Sequence, residues 1–222
     1  MPAVAQDSAG FNQRCYGGGN PQPTIAACTA IIVGGLVDVG DLSAAFQNRG
    51  NAYADEGQYD SAIDDYGHAI ALVADNVAAF NERGISYSAK GRYDLAILDY
   101  DLALAHKPGN AVVLNNRCFA KAVINQLEQA LVDCNESLRL RPGNADTLAS
   151  RGFAYLKLGR LEAAIADYDA EIQIYPGNPY SLFGRGIAKR LKGKASDGDT
   201  DVAAATAIDA SIAEVMAKLG VH

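Results

Sequence analysis

The chain has only three histidines, His68, His106 and His222, and none lies near a cysteine at a metal-ligand spacing. No metal site is expected. It also lacks an excess of positive charge: the net charge is −7 and the pI is near 4.9. Neutralising nucleic-acid phosphates requires a basic face, so nucleic-acid binding is excluded as an expectation. No stretch approaches the ~20 consecutive apolar residues a membrane helix needs, so no membrane insertion is expected. No strand pattern is apparent, and no glycine-rich phosphate loop follows one. An enzyme or a cofactor carrier would need such a constellation, so the expectation is a non-catalytic protein with no cofactor.

The chain does have a period. Arg49, Arg83, Arg117, Arg151 and Arg185 recur every 34 residues, and so do Asp65, Asp99, Asp133, Asp167 and Asp201. Glycine follows the arginine at 50, 84, 152 and 186, with Cys118 in the third unit. Tyrosine follows the aspartate at 66, 100 and 168, with Cys134 in the third unit. Within a unit the apolar residues keep helical spacing on both sides of a break, as in Phe46, Gly50 and Tyr53, then Ala62, Ile63, Tyr66, Ala69 and Ile70. The break holds Gly57, Gly91, Gly159 or Gly193, where a left-handed residue ends a helix, and Asn125 in the third unit. Pro-Gly-Asn recurs at 108–110, 142–144 and 176–178; its proline stops one helix, and Asn110 or Asn144 is placed to cap the next. One helix–turn–helix per period is expected.

Small residues also recur at the eighth and twentieth places, an aromatic at the eleventh (Tyr53, Tyr87, Tyr155) and a closing proline in three units. With these features the chain resembles the tetratricopeptide repeat (TPR) family, over residues 43–210 in five units. More narrowly it resembles bacterial exported TPR proteins with Arg-Gly and Asp-Tyr repeats. The resemblance implies an all-α, right-handed helical solenoid. Residues 7–42 read as a degenerate N-terminal helical pair, with a turn at 17–23 and Gly34, Gly35 and Gly40 in the connection that follows. Residues 211–222 read as a C-terminal capping helix, begun by a Ser211-x-x-Glu214 capping box and closed by Gly220. No separate second domain is apparent. The fifth unit departs from the pattern at Gly198, where SDGDTD is expected to loosen the turn.

Residues 1–6 resemble the tail of a trimmed signal peptide, with Ala3-Val4-Ala5 as its small-x-small end. The chain would then be periplasmic or secreted, the alternative being cytoplasmic. The four cysteines fall one per helix and two per hairpin: Cys15 with Cys28, and Cys118 with Cys134. Each pair is either a disulfide or, in a reducing cell, small core filler. The arginine–aspartate ladder sits at similar heights on antiparallel helices, and an ion pair linking the two helices of one unit, or neighbouring units, is expected, with a role in register.

The resemblance also implies a concave groove lined by first helices, holding a protein or peptide partner of unspecified identity. Its lining would be Asn51, Asn81 and Ile85, then Asn115, Phe119 and Val123, then Phe153 and Leu156, and finally Tyr180, Phe183 and Ile187. Asparagines would hold the partner's backbone and the apolar residues its side chains. The family's basic clamp for chaperone tails is not matched: Asn51 and Asn116 fit it, but Gln47, Ala78, Glu82 and Val112 do not. The alternative is a structural or assembly protein whose groove is filled by its own tail or by self-association.

Overall fold

The computed structural model describes Cys15, residues 20–35 and residues 37–221. The signal-like residues 1–6 and most of the first helix of the degenerate pair lie outside the described residues. The chain divides into two compact units, residues 1–108 and 109–222.

In the N-terminal unit, α1 (Pro21–Gly34) packs on the hairpin of α2 (Val39–Asp55) and α3 (Tyr59–Leu72), and that hairpin packs on α4 (Val77–Ala89) and α5 (Tyr93–His106). The C-terminal unit stacks three hairpins. These are α6 (Ala111–Val123) with α7 (Leu127–Leu140), α8 (Ala145–Lys157) with α9 (Leu161–Ile174), and α10 (Pro179–Leu191) with α11 (Ala195–Ile208). The short helix α12 (Ile212–Lys218) follows. Each unit is a run of TPR solenoid, and the described residues contain no strand.

The caps explain where the helices begin. Each first helix from α2 on starts at a side chain that accepts a backbone N–H, namely Asp38, Asn76, Asn110, Asn144 or Asn178. The second helices start without such a cap and depend on the tight turn before them. In that turn Gly57, Gly91, Gly159 and Gly193 are left-handed, and Asn125 takes the same conformation at φ 63°.

The eighth-place glycines are small because a tyrosine lies on them. A Cβ on Gly84 would come within 2.5 Å of the Tyr100 ring. The fifth unit solves the same problem differently. Its helix starts at Ala195, so SDGDTD is helical rather than a loosened turn. Gly198 lets α11 lie backbone to backbone on α10, since a Cβ there would meet the Gly186 carbonyl at 2.5 Å.

Three boundaries differ from the sequence reading. Asn20 caps α1 and proline follows it, so the helix begins inside the expected 17–23 turn and runs through Gly34. Asp38 starts α2 early enough to take in Gly40. The capping box at Ser211 does not form, because the serine hydroxyl and N–H both donate to Asp209 Oδ1, at 2.7 and 2.8 Å. Gly220, at φ 85°, does follow the end of α12.

Candidate functional site

The ladder residues come together in every hairpin. Each arginine donates from Nε and Nη2 to the two oxygens of the aspartate sixteen residues on, at 2.6–2.8 Å. This planar, two-pronged geometry is the one guanidinium groups favour. The aspartates are buried and the arginines half-buried. Several arginines also reach back to the preceding second helix: Arg49 to Thr29, Arg151 to Asn135 and Arg185 to Asp169. A single guanidinium thus ties both helices of one hairpin to the hairpin before it.

Sequence reasoning missed two further cations. Lys121 donates to Asp133 at 2.8 Å and Lys189 to Asp201 at 2.7 Å. The signal was available, because both lysines occupy the place that three sister units give to tyrosine. Burial pushes the Asp201 carboxyl up, but hydrogen bonds from Arg185 and Lys189 outweigh it and hold the group below the usual carboxylate range.

Both cysteine pairs are disulfides. Cys15–Cys28 has its α-carbons 4.9 Å apart and Cys118–Cys134 has them 5.5 Å apart. All four side chains are buried.

The expected groove residues separate into two groups. On the N-terminal unit, Asn51 accepts the Tyr66 hydroxyl at 2.9 Å, and Asn81, nearly fully buried, donates to Glu82 at 2.9 Å. Ile85 is 39% exposed beside them. Burial raises the Glu82 carboxyl, the Asn81 hydrogen bond lowers it, and the charge of Asp55 raises it further. A raised carboxyl opposes folding while it is charged. Its contribution improves as pH falls through the folded value toward the unfolded one near 4.3. Glu82→Gln is therefore expected to raise the melting temperature of the N-terminal unit by roughly 1–3 °C at pH 7, and by less at pH 4, measured by calorimetry at both pH values.

On the C-terminal unit, Asn115 sits in a cleft of about 80 Å³ lined by Ala111, Val112, Asn116, Ser137, Arg141 and Asn144 among others. Its Oδ1 is buried with no hydrogen-bond partner. Phe119 and Val123 are half-buried, and the Phe119 ring packs on Phe153 at 5.7 Å between centroids. Tyr180 is 46% exposed.

Phe153, Leu156, Phe183 and Ile187 are not free groove lining. They are buried in one cluster with Ile212, Met216 and Val221, which are 0%, 2% and 4% exposed. Helix α12 lies on α10 and α11, and the residue after it reaches α8, where Lys157 Nζ donates to the Leu219 carbonyl at 3.1 Å. The same ammonium donates to the Val123 carbonyl at 3.0 Å and stands over the Phe153 ring. The reason is hydrophobic: four apolar side chains on first-helix faces bury area against the tail that water would otherwise cover.

Among the described residues no cluster of three or more His, Cys, Asp or Glu could hold a metal ion. No described helix is long and apolar enough to cross a membrane.

The comparisons agree with this architecture. A family model described as "TPR repeat" matches residues 50–91, and one described as "Tetratricopeptide repeat" matches residues 124–179. A tetratricopeptide repeat protein from Parabacteroides merdae ATCC 43184 is similar at 15% identity and a TM-score of 0.77, over 96% of this chain and 88% of that chain. YrrB, described as a TPR protein with an unusual peptide-binding site, is similar at 19% identity and 0.63, over 87% and 99%. PilW, described as a widely conserved type IV pilus biogenesis factor, is similar at 20% identity and 0.68, over 75% and 77%. No curated protein matches the sequence.

Proposed function

Because the chain is a tetratricopeptide-repeat protein, we propose that it is a non-catalytic adaptor whose first-helix faces hold a segment of another protein. Residues 43–210 form the five-unit interaction module in this reading, with 7–42 and 211–222 as its two ends. The observation that carries it is Asn115 Oδ1, a buried acceptor with no partner on a residue that lines a cleft. Such a group costs about 1–3 kcal/mol when left unmade, and native proteins retain few of them. A backbone N–H of an extended peptide laid along α6 would complete it. YrrB, similar in fold, is described by its peptide-binding site, which supports the same reading. Asn51 and Ile85, with Asn81 buried beside them, offer the corresponding surface on the N-terminal unit; Phe119 and Val123 share α6 with Asn115, and Tyr180 stands on α10.

The two disulfides support a periplasmic or secreted location, since such bonds persist in oxidising compartments. The self-filled alternative is favoured in one place only, the face of α10 beneath α12 and the part of α8 that the residues after α12 reach.

The test is selection of a random displayed peptide library on the folded protein, followed by titration calorimetry. Asn115→Leu removes the orphan carbonyl, so its melting temperature should hold or rise. Its affinity for the selected peptides should fall at least tenfold, about 1.4 kcal/mol. Equal binding by the variant, or no selected peptide at all, would sink the proposal.

A further inference from the structure

Helix α12 is held by very little. It has seven residues, its N-cap serine makes no capping bond, and its one ion pair, Lys218 with Glu214, is internal and exposed. What fixes it is the burial of Ile212, Met216 and Val221 and the bond from Lys157 to the Leu219 carbonyl. Helices this short are marginal alone, and segments with few buried contacts open well below the global unfolding free energy. The surface beneath it has the makings of a recognition site. Phe153, Leu156, Phe183 and Ile187 form a continuous apolar floor on two first helices. At its edge Lys157 is an ammonium satisfied by two backbone carbonyls and by no carboxylate among the described residues. Burial lowers its affinity for the proton.

We propose that this face of the C-terminal unit is a helix-binding groove occupied in cis by α12, which a partner helix displaces. The reading rests on the assignment of first-helix faces to partner binding and adds the partner's chemistry. The occupant in place defines the fit: apolar residues at i and i+4, as Ile212 and Met216 are, with a further contact at the position of Leu219. A partner improves on α12 by ending in a free carboxylate where the Leu219 carbonyl meets Lys157. An ion pair there replaces the bond from the ammonium to an uncharged carbonyl. The tail acts as a threshold, because a partner's apparent affinity is reduced by the fraction of molecules in which α12 is released.

The test uses the full chain and two fluorescent peptides spanning residues 208–219, a native one with its C-terminus amidated and one ending in a free carboxylate. Met216→Asp in the protein weakens its own tail. This variant should bind the native peptide at least tenfold tighter than the wild type does. The free-carboxylate peptide should bind the variant tighter again, about tenfold, and adding Lys157→Gln should erase that second gain. Peptides selected on the Asn115 cleft should bind the Met216→Asp variant as they bind the wild type, so failure here and failure of the cleft assignment are distinguishable. A folded Met216→Asp protein that binds neither peptide overturns the proposal. Hydrogen exchange on the wild type decides it even if that variant fails to fold: α12 amides should exchange at least a hundredfold faster than those of α10. Exchange of the two helices together makes α12 a fixed cap and overturns the proposal. A concentration-dependent dimer dissolved by the native peptide assigns the groove to a second copy instead, and also overturns it.

Discussion

Replacing Asp133 by alanine is expected to destabilise the C-terminal unit by about 3–5 kcal/mol, the usual effect of removing one partner from a buried ion pair. Asp133 accepts from Arg117 at 2.8 and 2.6 Å and from Lys121 at 2.8 Å, and its side chain is almost fully buried. Its loss leaves the half-buried Lys121 ammonium without this carboxylate and takes one from the Arg117 guanidinium beside it. Calorimetry should show the transition of this unit shifted down by roughly 10 °C or more. Lys90→Ala, which breaks a pair to the well-exposed Asp60 in the N-terminal unit, should destabilise that unit by less than about 1 kcal/mol. The contrast between the two variants isolates desolvation from simple attraction.

The size of the single-variant effect does not measure what a ladder pair adds. Arg83 and Asp99 are a pair without a second lysine, so they allow the cycle to be closed. Asp99→Leu and Arg83→Met should each be strongly destabilising, and the double variant should regain most of the loss, as buried pairs replaced by apolar groups commonly do. The same pair of changes at Arg117 and Asp133 would still strand Lys121. Register specification predicts one further result: the Arg83→Met, Asp99→Leu protein keeps its helix content but shows a broader thermal transition. A double variant that melts as sharply as wild type removes the register role and leaves only packing.

The hairpins were legible in the sequence because they repeat. A 34-residue recurrence of arginine, aspartate, glycine and tyrosine fixes helix number, turn position and pairing partner together. The ladder and the Cys118–Cys134 pair follow from that register, since places eight and twenty-four of one hairpin must meet; Cys15–Cys28, at a separation of 13, does not keep it. What was not legible was the use of each exposed first-helix face. Phe153 and Phe183 have the same spacing whether a partner or the chain's own tail covers them. The decision rests on where Ile212 and Met216 go after Asp209, a turn that no period governs. The capping box failed for a similarly local reason, because Asp209, two residues upstream, competes for the Ser211 hydroxyl. Lys121 and Lys189 were overlooked because they break the aromatic pattern at the eleventh place, and departures from a repeat are where its special contacts lie.

The Cys118–Cys134 bond should be worth about 3 kcal/mol, the loop-closure entropy removed from the unfolded chain by a bridge across a sequence separation of 16. Reduction alone removes the bridge and leaves both sulfur atoms in the core. The Cys118→Ala, Cys134→Ala variant removes the bridge and also shrinks a site that three sister hairpins fill with a tyrosine lying on a glycine. The two losses should therefore differ. Reduced wild type should melt roughly 10 °C below the oxidised protein, and the alanine variant lower still, because deleted core atoms leave a cavity that the neighbours refill only in part. Cys118→Gly with Cys134→Tyr restores the sister pair and should recover the packing part but not the covalent part, melting close to reduced wild type. Cys134 is fully buried between α6 and its hairpin partner, so reduction should require denaturant or partial opening of this unit. Four free thiols in protein made under oxidising conditions, or a melting temperature that does not respond to reduction, would show that the third hairpin is held by packing alone.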